Sequence, residues 1–139
     1  MRTACLLVAD ELHYSLNGKM HVFGIYTGDI GINADPTFVN QIVFLFIIEA
    51  SPDDPFRKLE LYIELPQGEK RIMQLPVPEF RPTKGDERRW SLRYPILIQN
   101  AFLRPGQIEA KVIHESGEIP VSAPYIALPR PTLDSSQMS

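Results

Sequence analysis

The sequence predicts an all-β fold: an antiparallel β-sandwich, immunoglobulin-like or C2-like, of about seven to nine strands. Three observations carry this. Thirteen prolines are spread along 139 residues, leaving little room for long helices, because an interior proline removes a backbone hydrogen bond and clashes with the preceding turn. Short apolar or alternating runs recur with turn residues between them at intervals of about 8–12 residues, the spacing of sandwiches and small barrels. The third is Ile42-Val43-Phe44-Leu45-Phe46-Ile47-Ile48, an unbroken run of β-branched, aromatic and leucine side chains. It falls far short of the about 20 residues a membrane helix needs. As a strand it is apolar on both faces, with Ile42, Phe44, Phe46 and Ile48 on one and Val43, Leu45 and Ile47 on the other.

Taken in order, residues 3–9 form a short apolar strand. Residues 12–16 and 19–23 flank Asn17-Gly18, which reads as a two-residue hairpin turn because both positions tolerate positive φ. Strand character continues through Gly24-Ile25-Tyr26-Thr27, and residues 31–40, with Asp35-Pro36, read as a loop. The two-sided strand occupies residues 41–50, and Ser51-Pro52-Asp53-Asp54-Pro55 ends it in a turn. Residues 58–65 alternate, with Leu59, Leu61, Ile63 and Leu65 facing the core and Lys58, Glu60, Tyr62 and Glu64 facing water. Pro66-Gln67-Gly68-Glu69 turns the chain into a weaker strand over 71–77, followed by a polar loop over 78–87. Residues 89–94 carry apolar residues at even positions, and Pro95 marks an edge or a bulge. A strand over 107–115 places Ile108, Ala110 and Val112 inward, Ser116-Gly117 turns, and the last strand covers 119–126. One domain, 1–128, is expected, with a flexible Pro/Ser-containing tail over 129–139.

Composition narrows the function classes. The hydrophobic share of 44% and charged share of 22% are those of a globular domain. A net charge of −3 gives no electrostatic footprint for nucleic acid. Cys5 stands alone, so no intramolecular disulfide forms; it is expected to be a small buried residue of the first strand. Arg2 is followed by too short an apolar run for a secretory signal before Asp10 and Glu11. The expected address is the cytoplasm, with no membrane partner.

The opening residues combine an apolar strand over 5–9, Asp10, the Asn17-Gly18-Lys19 loop, and a second apolar strand closing in Gly24-Ile25-Tyr26. This resembles a family of small bacterial proteins of unknown function that share this opening pattern over roughly the first fifth of the chain. Ala9 stands where that family usually has a cysteine, and His13-Tyr14-Ser15-Leu16 replaces its Arg/Glu-rich loop. The resemblance implies a compact β domain of bacterial origin and lends no activity.

Register and parity constrain the candidate sites. With Asn17-Gly18 as a two-residue turn, Tyr14 opposes His21 and His13 opposes Val22, which puts His13 and His21 on opposite faces and excludes a shared ion. His114 lies beside Glu115 on alternate faces. Loops 51–55, 78–87 and 115–118 should emerge at one end of the sandwich. They bring Asp53, Asp54, Glu79, Asp86, Glu87, Glu115 and Glu118 toward Arg57, Lys58, Arg81, Lys84, Arg88 and Arg89. Near-cancelling charge reads as a solvated rim rather than as calcium ligands. No serine stands in a nucleophile elbow, Cys5 has no evident base, and Gly24, Gly28 and Gly31 do not make a phosphate loop. Arg88-Arg89-Trp90 and Arg93-Tyr94 interleave bases with aromatics, but Trp90 and Tyr94 have inward parity.

No catalytic, metal or cofactor-binding residue is therefore assigned, and no cofactor. The expected function is a non-enzymatic interaction or accessory module. It forms a homo-oligomer or binds a protein partner, with Val43, Leu45 and Ile47 in the interface. Two alternatives are an enzyme or calcium- or ligand-binding sandwich using the loops at one end, and a structural component of a phage-like or secretion assembly.

Overall fold

A computed structural model describes residues 1–77 and 89–129. The loop over 78–87 and the tail beyond Pro129 lie outside the described residues. Eleven strands are present there: β1 (Arg2–Tyr14), β2 (Met20–Ile25), β3 (Ile30–Gly31), β4 (Thr37–Ala50), β5 (Leu59–Glu64), β6 (Lys70–Leu75), β7 (Trp90–Leu103), β8 (Gly106–Gln107), β9 (Glu109–His114), β10 (Gly117–Val121) and β11 (Tyr125–Ala127). No helix occurs among the described residues. Eight of these strands make two four-stranded sheets, ordered β2-β1-β4-β7 and β10-β9-β5-β6. Every pairing within the two is antiparallel. The fold is the expected β-sandwich. A third sheet, β3-β11-β8, contains the one parallel pairing, between β3 and β11. It uses parts of the predicted 31–40 loop and 119–126 strand, which splits into β10 and β11 around Pro124.

The two-sided run sits in β4, an inner strand flanked by β1 and β7. Its even residues Ile42, Phe44, Phe46 and Ile48 join Leu59, Leu61 and Ile63 of β5, Leu65 and Val112 in one buried cluster. The inward positions read for 58–65 and 107–115 are the observed ones: Leu59, Leu61, Ile63, Leu65, Ile108, Ala110 and Val112 are all buried. Trp90, Leu92 and Tyr94 pack against the same core from β7. Pro95 lies within β7 opposite Leu45. β7 is a sheet edge, where a missing N–H leaves no ladder bond unmade.

Core parity reverses at one point. Along β4 and β7 the even residues face the core up to Ile42 and Ile98, but beyond them it is Ala101 and Leu103 that are buried, opposite Val39 and Thr37. Asn100, with φ of 54°, stands at the change. A left-handed residue rotates the chain about its axis, and asparagine is among the residues that tolerate it.

The first hairpin differs from the two-residue expectation. Tyr14 pairs with Met20, His13 with His21 and Leu12 with Val22, one position from the predicted register. The Ser15 N–H donates to Lys19 O at 2.8 Å and the Gly18 N–H to Ser15 O at 2.9 Å, closing a three-residue loop of Leu16, Asn17 and Gly18. Gly18 takes φ of 82°, so a single left-handed residue suffices where a two-residue turn of this type needs two. The turn over Leu65–Glu69 repeats both hydrogen bonds, at 2.8 and 2.9 Å. A second correction concerns Cys5, which is exposed rather than buried: it pairs with Ile47 on the face turned away from the core.

Gly18→Val should lower unfolding free energy by about 1–2 kcal/mol, the cost of a left-handed side-chain-bearing residue. Gly28→Ala, where nothing lies within 4 Å of the added carbon, should stay within about 0.5 kcal/mol. Urea titration of both variants checks the assigned loop; equal stability of the two would refute it.

Candidate functional site

The elements of the opening pattern meet in space. By register Gly24 lies across from Asp10, between the pairs Ala9 with Ile25 and Glu11 with Phe23. A Cβ at Gly24 would fall on the Asp10 carboxylate, so glycine is needed both for its φ of 69° and for the space. The Tyr26 hydroxyl donates to Asp10 Oδ1. Burial first, then that hydrogen bond and the negative charge of Asp10, push the Tyr26 phenol up to about 12. Tyr26 is thus a fixed proton donor at neutral pH, and the Asp-Gly-Tyr set is a clamp joining β1 to the end of β2.

Corrected register also moves the histidines. His13 and His21 are directly opposed and share a face, so the expectation that they lie on opposite sides does not hold. Glu11 receives His13 Nε2 at 3.2 Å, and Phe23 contacts both rings, with centroids 5.5 Å from His13 and 6.5 Å from His21. Among the described residues no three His, Cys, Asp or Glu side chains stand together in a metal-holding group.

At the opposite end, loops 51–55 and 115–118 do converge, and Arg2 organises them. Its guanidinium donates to Pro55 O at 2.6 Å and to His114 Nδ1 at 3.0 Å, pairs with Asp54 at 3.1 Å and with Glu115, and lies 5.0 Å over the Phe56 ring. Glu115 also accepts the Arg57 and Lys58 backbone N–H groups, both at 3.2 Å. Asp54 and Glu115 stand on a solvent-accessible, mixed-charge rim as expected, and there Arg2 anchors both; Glu79, Asp86, Glu87, Arg81, Lys84 and Arg88 lie outside the described residues. Partial burial pushes Glu115 upward, but hydrogen bonds from its own backbone, Arg2, Arg57 and Lys58 outweigh it and hold the carboxyl at about 2.

The outer face of the β2-β1-β4-β7 sheet holds the predicted interface residues. Val43 is fully buried at 0% exposure, Leu45 nearly so at 4%, and Ile47 partly. Register builds an apolar row across all four strands, Ile25, Ala9, Val43 and Leu97, with Leu7, Leu45 and Pro95 as the next row. The ends of the first row are open, Ile25 at 45% and Leu97 at 41%. These two were not singled out from sequence, since finding them requires the cross-strand register. The outer face of the other sheet carries more charge, although Ile72, 60% exposed, stands there opposite Tyr62. There Glu64 pairs with Lys70 at 3.9 Å, Lys111 with Glu118 at 3.0 Å, and Gln74 donates to Glu60 at 2.9 Å.

Compared with known proteins, the chain matches no family model and no curated protein. The resemblance of the opening residues thus rests on the pattern itself.

Glu115→Gln should cost about 1–3 kcal/mol at neutral pH, the range for hydrogen bonds to a charged group. The folded carboxyl titrates at about 2 and the ordinary value is 4.5, so the unfolded chain binds the proton first. Stability contributed by this group is complete above the ordinary value and is lost as pH falls toward about 2. Acid titration of stability should show this limb flattened in the variant; an unchanged limb would mean that Arg2 does not hold the carboxylate.

Proposed function

We propose that the protein is a non-enzymatic interaction module that associates with a second copy of itself through the outer face of the β2-β1-β4-β7 sheet. The observation that carries this reading is the contrast between the two outer faces. An antiparallel sheet that meets water on one side normally alternates apolar-in and polar-out, and the β10-β9-β5-β6 sheet follows that rule over most of its outer face, with laced charges around an isolated Ile72 and Tyr62. The other sheet breaks it, keeping Leu7, Ala9, Val43, Leu45, Pro95 and Leu97 in adjoining rows. Val43 and Leu45 are shielded within one chain, so association would add cover chiefly to Ile25, Leu97, Ile47 and Cys5 around them. Contiguous apolar patches of this kind mark contact surfaces, and two-fold symmetry is the commonest way to close one on itself.

Light scattering at micromolar concentration tests the reading. The wild type should show twice the mass of one chain. Leu97→Lys and Ile25→Lys, at half-open positions where charge does not disrupt the core, should fold with unchanged melting temperature and run as single chains. A wild type that is a single chain throughout, or variants that keep the double mass, would overturn this face as the interface.

A further inference from the structure

The β2-β1-β4-β7 sheet is not continuous along its length. The ladder between β1 and β4 ends at Ala9 and Val43. Past that point β1 runs on to Tyr14 paired only with β2, and the opening residues of β4, 37–41, pair only with β7 among the described residues. Between the two diverging strands lies a cleft of about 710 Å³, within the range of about 300–1,000 Å³ usual for binding pockets. The division is marked on each side. Gly24, with φ of 69°, lies across from Asp10 in β2, and Asn100, with φ of 54°, lies across from Asn40 in β7. Both left-handed residues stand at the level where the ladder between β1 and β4 ends.

Two backbone edges therefore face each other across an open gap. Each edge carries N–H and C=O groups spaced as in any sheet, which is the template that an added strand uses. The lining side chains define what such a strand would carry. Asp10 and Glu11 stand on the β1 side and Asn40, Gln41 and Asn100 on the other, with His13 at the rim and no lysine or arginine in the lining. Amides hydrogen-bond peptide groups whatever the sequence. Asp10 is held by Tyr26, while Glu11, exposed and sharing a 3.2 Å contact with His13, gives the cleft a negative edge that favours positive charge. We propose that the cleft binds an extended, basic segment of a partner protein as an inserted strand. The cleft adjoins the apolar face proposed for self-association, since Glu11, Gln41 and Gln99 stand two positions beyond Ala9, Val43 and Leu97 on the same side. The two claims are told apart by readout, peptide binding for one and mass for the other.

The test uses the full chain with a short synthetic peptide alternating lysine and threonine, and its counterpart alternating glutamate and threonine. The basic peptide should bind saturably by fluorescence anisotropy and slow exchange of those amides in residues 10–14 and 37–41 that bond neither β2 nor β7 in the free protein. The acidic peptide should bind about tenfold more weakly or worse, and Glu11→Lys should weaken the basic peptide by a similar factor. Light scattering of Glu11→Lys should match the wild type, which keeps this result distinct from the association test. No saturable binding, equal binding of both peptides, or binding that leaves those amides unprotected would overturn the proposal. If the gap-facing amides, those that bond neither β2 nor β7, are already protected in the free protein, or become protected as its own concentration rises, the chain itself or a second copy fills the cleft, and the proposal is overturned equally.

Discussion

A strand that is apolar on both faces has to be flanked on both edges and covered on both sides, and β4 meets the first requirement by standing between β1 and β7. Its even residues are covered by the opposing sheet, as part of the single large core cluster. Its odd residues Val43 and Leu45 are also buried, beside Leu7 and Ala9 on one flank and Pro95 and Leu97 on the other. Much else follows from this placement. β7 has to be long enough to flank a strand of 14 residues, and it is, at 14, while Arg2–Ala9 of β1 flank β4 from Val43 to Ala50. The sheet that carries β4 then has an apolar outer side by construction, while the partner sheet is free to be polar.

The ends of the sandwich are held by quite different means. At one end Arg2 ties the β4–β5 connection to the β9–β10 turn, using one guanidinium to serve Asp54, Pro55, His114 and Glu115. Charge there is committed to structure, which argues against reading the acidic loops as a ligand set. At the other end the sheet divides, and Asp10, Gly24 and Tyr26 clamp β2 onto β1 at the point of division. One end is tied together by the Arg2 network; at the other, where Arg104 pairs with Asp35 at 2.9 Å, two strand edges stand unpaired among the described residues. That asymmetry is the physical ground for placing recognition at the divided end and on the adjoining outer face.

Most of the architecture was legible in the residues because side-chain period reports burial directly. The alternation over 58–65 and the continuous run over 42–48 placed the core residues of β5 and β4 correctly, and Pro95 marked an edge. Register was not legible. Asn17-Gly18 is compatible with a two-residue or a three-residue loop, and the choice depends on whether one or two residues turn left-handed. That single step moved His13 and His21 from opposite faces to the same face. The apolar row from Ile25 to Leu97 was hidden for a related reason, since it exists only once three ladders are aligned. Arg2 looked like part of an unremarkable start because its partners lie 52 to 113 positions away.

Association through the outer face is the claim on which the functional account turns, and the chain carries its own reporter for it. Cys5 is the only cysteine, is exposed, and pairs with Ile47 on the apolar side of the sheet. The measurement is the rate of Cys5 alkylation by a small thiol reagent, followed by mass as protein concentration is raised from nanomolar to micromolar. Alkylation should slow as concentration rises, and Leu97→Lys should abolish the slowing. A rate independent of concentration, in a protein that light scattering shows to be associated, would place the interface elsewhere and contradict that claim.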